Sequence, residues 1–253
     1  MSLREKQAEA RRRQMLSAAE NLIRTTGSTE FSMRALAAAS EVSETTPYNF
    51  FGTKEGLLFE LLTEHMADFM GEANTLHSPD PIEQVLVAGD KAVRIFLRDP
   101  VLMRPLYHVV FGVTDPMHHP QFLARAFQFY NTTLDALDSK GLIGDKQDRI
   151  ILASSLMAHF MGVLDLWIHE DIDDHWFVSQ VVYGFAHMLW PFASGKSLAT
   201  LKDHMQRAKQ TLSNARMYPS FVPGGKKTAA QNRPQGTPRN QSPSPTPKRS
   251  KKT

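Results

Sequence analysis

The first hydrophobic pattern along the chain has the spacing of an amphipathic α-helix with one buried face. Its apolar positions recur at intervals of three and four residues, at Met15, Ala18, Ala19, Leu22 and Ile23. Gly27 follows this stripe, at a position where glycine commonly ends a helix. The pattern therefore predicts a long first helix that ends near residue 27.

Two shorter helices are predicted between residues 32 and 51. Ser32 is a good N-cap for the first of them, and Ser43, after a short turn, is a candidate N-cap for the second. This third helix would run through Tyr48 to Phe51, with Pro47 tolerated because it lies close to the helix start. Two short helices joined by a tight turn, after a longer amphipathic helix, have the dimensions of a DNA-binding helix-turn-helix.

Lys54 opens a longer fourth helix, and helical periodicity continues beyond it in several segments. These segments are separated by breaks near residues 78–81, 99–100, 112–116, 141–144 and 171–174. Because no alternating run with hairpin chemistry occurs, the predicted fold class is all-α. We expect a three-helix head over residues 1–53, a larger helical domain over 54–218, and a separate tail over 219–253.

Two predicted helices, near 146–170 and 174–193, are apolar on nearly every face. A helix without a polar face must be covered on two sides, either within one chain or by a second subunit. The first approaches the length of a membrane span but contains Asp165, and an Asp near a bilayer midplane costs about 2.5–3.5 kcal/mol. We therefore expect a helix buried in protein and no membrane partner.

The net charge of +3 arises in the C-terminal tail. Residues 219–253 contain eight Lys or Arg, no Asp or Glu, and seven Pro, a composition that predicts a disordered basic segment. Residues 1–60 contain eight basic and eight acidic side chains, so net charge does not single out the head as a nucleic-acid binder.

The remaining composition is that of an intracellular folded protein. Apolar residues make up 42% of the chain, which is enough for a substantial core. Cysteine is absent, which excludes disulfides and thiolate metal sites. The first residues are charged and lack an apolar run, so we expect no secretory signal and a cytoplasmic location.

Four groups of residues between Phe31 and Leu62 together match a family signature. They are Met33-Arg34-Ala35-Leu36-Ala37, Val42-Ser43, Tyr48 with Phe51, and Lys54-Glu55-Gly56-Leu57-Leu58. In these positions the chain resembles the tetracycline-repressor-like (TetR) family of transcriptional regulators, over about its first 65 residues. The resemblance implies a homodimer, built from the helices near 146–170 and 174–193, that binds a palindromic operator in double-stranded DNA. It also implies an effector pocket within the larger helical domain.

The third helix would then lie in the major groove. Thr45, Thr46 and Asn49 would meet base edges, since Asn pairs with adenine and the Thr methyl packs on thymine. Phosphate contacts are expected from Tyr48, Lys54, Ser32 and Ser43. Arg34, at the start of the second helix, would reach the backbone or a neighbouring base. Each also has a purely structural alternative. The two threonines would then be ordinary polar surface, and the ring of Tyr48 would pack on the first helix. Lys54 would be a solvated lysine, and the two serines would only cap helices.

Two residues depart from the family pattern. Glu41 stands where the family generally has glycine, and a left-handed turn there would cost a non-glycine residue about 1–2 kcal/mol. Phe50 occupies a position that often holds a polar residue in contact with DNA. These two features favour an alternative in which a helical small-molecule-binding protein or enzyme retains a non-functional head.

Aromatic and methionine side chains in the larger domain suit an apolar or aromatic effector. The candidate ligand-binding residues are Phe96, Met103, Tyr107, Phe111, Phe127, Tyr130, His159 and Trp167. Plain core packing is the alternative for each of them, and His159 is also a candidate for a core or interface residue. An effector that binds one dimer geometry better than another would change the DNA affinity, so we expect a repressor released by its effector.

Enzyme, cofactor and metal signatures are missing from the sequence. Neither G-x-S-x-G, H-E-x-x-H nor a phosphate-binding G-x-x-x-x-G-K-[ST] occurs. The loop from His169 to His175 has metal-ligand side chains, but its spacing fixes no coordination geometry and a solvated loop explains it as well. We therefore expect neither an enzyme nor a bound metal or cofactor.

Overall fold

The computed structural model describes residues 2–73, 78–112 and 115–214, with side chains of 68–73 and of 214 excepted. No strand occurs in these ranges, which confirms the all-α prediction. The tail over 219–253, predicted to be disordered, lies outside the described residues. The predicted division at residue 53 between head and larger domain stays a prediction.

The described residues form eleven α-helices and one 3₁₀ turn. In chain order they are α1 (Leu3–Thr26), α2 (Met33–Ala39), α3 (Thr46–Phe51), α4 (Lys54–Ala73), α5 (Pro81–Arg98), α6 (Pro100–Gly112), α7 (His118–Thr133), α8 (Asp135–Asp138), α9 (Lys146–Ile168), α10 (Asp174–Leu189), the 3₁₀ turn (Trp190–Phe192) and α11 (Gly195–Asn214). The breaks between helices lie at the predicted positions. The short α8 was not predicted.

The apolar stripe of α1 is buried against the following helices, as its spacing predicts. Met15, Ala19 and Ile23 have no exposed surface. Gly27 adopts the left-handed conformation at φ 66°, and its N–H donates to the carbonyl of Ile23. Glycine is suited to this position because it has no Cβ to clash in that conformation.

The turn between α2 and α3 is left-handed at Glu41, with φ 54°. The N–H of Val42 donates to the carbonyl of Ala37 at 3.0 Å, and the N–H of Glu41 donates to that of Ala38 at 3.2 Å. This is the paired hydrogen-bond pattern with which glycine usually closes a helix. The left-handed turn expected at this position is therefore present, with glutamate in place of glycine.

One predicted helix cap is wrong, because α3 starts later than expected. Residues 43–46 first form a turn in which the N–H of Thr46 donates to the carbonyl of Ser43 at 2.9 Å. Thr45 is the N-cap residue and makes no side-chain cap. Ser43 lies in the turn before the helix, so its hydroxyl does not accept from the free N–H groups of the first helical turn. Its hydroxyl instead forms a hydrogen bond with that of Thr46 at 2.7 Å.

The junction between α3 and α4 is unusually close. Thr53 caps α4, accepting the N–H of Gly56 on its hydroxyl at 3.0 Å. A Cβ at residue 56 would lie 2.3 Å from the carbonyl oxygen of Phe51, far inside contact distance. Glycine is therefore required here by the approach of the α3 backbone.

An aromatic cluster is shared by α5, α6, α9 and α10. Trp167 has no exposed surface and stacks on Phe177, with ring centroids 5.2 Å apart. Its indole N–H donates to Asp174 at 2.8 Å, and Arg104 lies over its ring at 4.6 Å. Phe96 lies edge-on to the same indole at 6.4 Å. Burial of this size contributes several kcal/mol to stability.

Helix α9 is long and apolar enough to cross a membrane by those two criteria alone. One of its faces, which includes Leu156 and Leu164, is fully buried in the protein. Its opposite face includes Ile151, which remains 54% exposed, and Gly162, whose surroundings are open. Helix α9 therefore packs as a core helix on one side and leaves apolar surface on the other.

Candidate nucleic-acid interface and internal cavity

Helix α3 is anchored by two buried residues and presents a polar face to the outside. Pro47 and Phe51 are buried. Thr45, Tyr48 and Asn49 are exposed, with Tyr48 keeping 54% of its surface. These side chains are therefore accessible to a large partner. The ring of Tyr48 is not buried against the first helix.

The start of α2 lies beside the same face. Ser32 caps α2, accepting the N–H of Ala35 at 3.1 Å. Arg34 pairs with Glu44 at 3.0 Å, with both side chains largely exposed. An exposed pair of this kind contributes less than about 1 kcal/mol, so it leaves the guanidinium available to another anion.

Lys54 stands at the first turn of α4, next to α3. Its Nζ lies 4.0 Å from the carboxylate of Glu30 and 5.9 Å from the ring centroid of Phe31. A lysine at a helix start adds its charge to the free N–H groups there, an arrangement that attracts phosphate.

Phe50 lies on the side of α3 that faces α4 and α7. It is 36% exposed, and its ring centroid lies 6.2 Å from that of Phe51. Both rings line a cleft of about 270 Å³ that also contains the ion pair between Arg12 and Glu60. Part of the Phe50 ring is therefore covered in the cleft that α3 forms with α4 and α7.

A second feature is a small internal cavity between α4, α5, α6, α7 and α9. Its volume is about 40 Å³, and its walls are almost entirely apolar. A site for a drug-sized ligand has about 300–1,000 Å³, whereas one water needs only about 10–15 Å³. The cavity has room for a few waters and is smaller than a site for a drug-sized ligand.

Four of the eight candidate ligand residues line this cavity: Phe96, Met103, Tyr107 and Tyr130. The other four lie elsewhere. Phe111 is 37% exposed near the end of α6, Phe127 is half-buried on another face of α7, and Trp167 lies behind Phe96. His159 contacts the carbonyl of Gln180 at 3.0 Å, where α9 packs on α10.

Several cavity residues were not singled out from the sequence, among them His65, Met66, Phe122, Phe129, Phe160 and Met161. On α7, the spacing of Phe122 and Phe129 to Tyr130 places them on one face, a signal that the sequence does contain. His65 and Met66 lie on α4, and nothing in their local pattern indicates that α4 reaches the cavity.

The two tyrosines of the cavity are deeply buried. Tyr107 and Tyr130 are each 5% exposed. Burial raises the pKa of the Tyr107 hydroxyl well above its ordinary value, because the charged phenolate would lose its hydration. Burial also raises the pKa of Tyr130, and the neighbouring Tyr107 raises it further. Both hydroxyls therefore stay protonated and are able to donate hydrogen bonds.

His65 connects the cavity to α1. Its Nε2 lies 3.1 Å from the carboxylate of Glu20, which also accepts from Arg24 at 2.9 Å. Arg24 in turn donates to Asp99, between α5 and α6, at 2.8 Å. The close approach of His65 is the largest cause of a lowered pKa at Glu20; burial opposes it and Arg24 adds to it.

Among the described residues, no group of three or more metal-ligand side chains is placed to hold an ion. In the loop after α9, His169 lies 3.3 Å from Asp165, and its ring is edge-on to that of His108 at 4.7 Å. The absence of a metal or cofactor stays a prediction.

Comparison with known proteins gives one family model that matches part of the head. Residues 15–61 match the model of bacterial regulatory proteins of the tetR family. No curated protein matches the sequence.

Solved structures resemble most of the described chain. A TetR transcriptional regulator from Rhodococcus sp. RHA1 has a TM-score of 0.61 at 19% identity, covering 73% of this chain and 97% of its own. A protein assigned to the same family from Syntrophomonas wolfei has a TM-score of 0.60 at 23% identity, covering 72% and 96%. The regulator tylp from Streptomyces fradiae has a TM-score of 0.57 at 16% identity, covering 82% and 98%. These likenesses show that the fold is shared.

Proposed function

We propose that the chain, whose residues 15–61 match the family model of tetR bacterial regulatory proteins, is an effector-released repressor of that family. It is a DNA-binding transcriptional regulator. As a repressor it would act in the cytoplasm as a homodimer on a palindromic operator, and a small apolar or aromatic molecule would release it. No enzymatic activity is part of this proposal.

The observation that carries the proposal is the exposed polar face of α3. We assign base-edge contacts to Thr45, Thr46 and Asn49. The hydroxyl and amide groups can form hydrogen bonds with base edges in the major groove, and the threonine methyl groups can pack on thymine. The assignment to phosphate covers Ser32, Arg34, Ser43, Tyr48 and Lys54, which supply hydroxyls and positive charge around the same face. The mutual hydrogen bond of Ser43 and Thr46 positions both hydroxyls at the helix start.

The proposed dimer uses the outer faces of α9 and α10. Ile151 on α9 is 54% exposed, and Trp190 just after α10 is 41% exposed, which is unusual for large apolar side chains. A cleft of about 400 Å³ with apolar walls lies between these helices, at Ile151, Met188 and Phe192. A second copy would cover this surface and hold two heads at a fixed separation, as two successive major grooves require.

Effector control is assigned to the cavity and its contact with α1. A ring-sized molecule needs more than about 40 Å³, so its entry must displace the walls, including His65 on α4. This movement would change the contact of His65 with Glu20 on α1 and so the position of the head. Release follows if the effector binds the displaced state better than the DNA-bound state.

The DNA-binding assignment is tested by fluorescence anisotropy with duplexes from upstream of the protein's own gene. We expect Asn49→Ala to weaken binding to the preferred duplex by about tenfold, because a bidentate base contact contributes about 1–3 kcal/mol. Gln128→Ala is the control, since Gln128 is exposed on α7 and its partner among the described residues is Thr132 on the same helix. A folded dimer that forms no salt-sensitive, sequence-dependent complex would contradict the assignment.

A second candidate function rests on Phe50. An aromatic ring that is 36% exposed on α3 makes no hydrogen bond to phosphate or base edges. If α3 has lost its DNA contacts, the chain would be a helical small-molecule-binding protein or enzyme with a non-functional head. Binding of small molecules by a dimer that ignores all DNA would favour this candidate.

A further inference from the structure

A nitrogen atom in the cavity wall is buried without a hydrogen-bond partner. This atom is Nε2 of His65, for which none of the described residues supplies a partner. The carboxylate of Glu20 lies only 3.1 Å away, so the two groups are close enough for a hydrogen bond but are not aligned for one. Leaving a buried polar group unpaired is costly, so a correctly placed partner from outside the described chain would be stabilised here.

The position of Glu20 also indicates the protonation of this nitrogen. A carboxylate is repelled by the lone pair of an imidazole nitrogen and attracted by an N–H, so Nε2 carries a proton. The ring is then a donor at Nε2, and in its charged form it is also a cation. Among the described residues that line the cavity, none is Asp, Glu, Lys or Arg. His65 is therefore the group of this wall that selects an anionic acceptor.

Glu20 does not depend on His65 for a partner. Its carboxylate also accepts from Arg24, one turn later on α1, at 2.9 Å. If another anion took its place beside His65, Glu20 would keep this pairing. The exchange therefore leaves no buried charge without a partner, which is the condition under which breaking an ion pair is inexpensive.

We propose that the cavity takes an apolar molecule with a single carboxylate, which replaces Glu20 as the partner of His65. The carboxylate would accept the N–H that Glu20 leaves unpaired, and the apolar body would lie against aromatic rings of the wall such as Phe96 and Phe160. This inference rests on the proposed function, of which it names the effector class. It also names the contact between α1 and α4 that the effector would break.

The cavity must expand to admit such a molecule, because its volume is only about 40 Å³. Three methionines in its wall, Met66, Met103 and Met161, supply the means. Their unbranched thioether side chains adapt to irregular shapes more readily than branched or aromatic ones.

The test compares probes that share one ring system and differ in charge. Calorimetry on the full chain would measure the binding of indane-2-carboxylate, indane-2-carboxamide and 2-aminoindane at a pH of about 6, where an ordinary imidazole is mostly charged. We expect the carboxylate to bind about tenfold more tightly than the amide of nearly the same shape, because a hydrogen bond between charged groups is about twice as strong as a neutral one. The amine should bind most weakly, since its charge would lie beside His65.

Two variants separate the exchange of partners from a structural role of the same residues. Glu20→Gln should raise the affinity for the carboxylate at least about threefold and leave that for the amide within about twofold, because it removes the competing negative charge. His65→Gln, which keeps a donor but loses the charge, should abolish the preference for the carboxylate. A merely structural role would change the binding of both probes alike.

Glu64→Gln is the matched control. It removes the same charge from the residue next to His65, but the carboxylate of Glu64 pairs with Arg12 at 3.2 Å. We expect this variant to bind both probes as wild type does.

Four results would overturn the inference: equal binding of carboxylate and amide, no binding of either, a Glu20→Gln variant that binds the carboxylate no better than wild type, or a preference that survives in His65→Gln. The first three need no substitution at His65, so they decide the matter even if that variant does not fold.

Binding to upstream DNA, measured without probe in the same preparation, separates this failure from failure of the proposed function. A protein that binds DNA but shows no preference for the carboxylate refutes the inference alone. A carboxylate preference in a dimer that ignores DNA refutes the regulator and keeps the site.

Discussion

Replacing Gly56 by alanine tests how α3, the helix proposed to contact DNA, is positioned. The new Cβ would lie 2.3 Å from the carbonyl oxygen of Phe51, where ordinary contact begins at about 3.4 Å. The clashing atom is backbone, so no side-chain rotation removes the overlap. The end of α3 and the first turn of α4 must therefore separate by about 1 Å.

The expected magnitudes follow from this displacement. Overpacking of this kind costs about 1–3 kcal/mol, and alanine regains about 1 kcal/mol of helix propensity, so we expect a net destabilisation of up to about 2 kcal/mol. Hydrogen bonds tolerate only a few tenths of an ångström, so a displacement of about 1 Å would break direct base contacts from α3. Operator affinity should then fall at least about tenfold.

Chemical denaturation would measure the stability of the variant, and fluorescence anisotropy its affinity for upstream DNA. Gly112→Ala is the matched control, because Gly112 ends α6 and nothing lies within 4 Å of a Cβ there. We expect this control to leave both quantities unchanged or to raise stability slightly. If Gly56→Ala behaves as Gly112→Ala does in both assays, the close junction does not position α3.

Three further predictions concern strain, pH and charge. Glu41→Gly should raise the free energy of unfolding by about 0.5–1 kcal/mol, because it removes left-handed strain at φ 54°, and Glu41→Ala, which keeps the strain, should not. Glu20→Gln should be less stable than wild type at pH 7, and the difference should vanish as pH falls through the lowered pKa of Glu20, where wild type loses the same stabilisation. Deleting residues 219–253 should weaken binding to all DNA sequences and flatten its salt dependence; an unchanged slope would give the tail another role.

The helices were predictable from the sequence because their signals are local. The stripe through Met15 and Ile23 and the glycine at residue 27 define α1 without reference to the rest of the chain. The start of α3 was predicted less well, since Ser43 has the chemistry of an N-cap but lies in a preceding turn. Several residues near a helix start compete for the cap, and only the turn geometry selects among them.

The cavity was predictable only in part, because its walls come from five helices. Periodicity identifies which residues share a face of one helix, such as Phe122 and Tyr130 on α7, but not which faces meet. Trp167 and Phe96 illustrate the difference: both are large, aromatic and buried, yet only Phe96 lines the cavity. The contribution of α4 through His65 depends entirely on tertiary packing.

Helix α4 is the element that joins the two candidate sites. Gly56 in its first turn touches the end of α3, and His65, nine residues later, contacts both the cavity and Glu20 on α1. At about 1.5 Å per residue these points are only about 14 Å apart on one uninterrupted helix. A helix of that length moves nearly as a rigid body, because closely packed interiors are hardly compressible. A displacement at one end is therefore expected to reach the other end. We therefore expect expansion of the cavity, as the proposed function requires, to reorient α3 through α4.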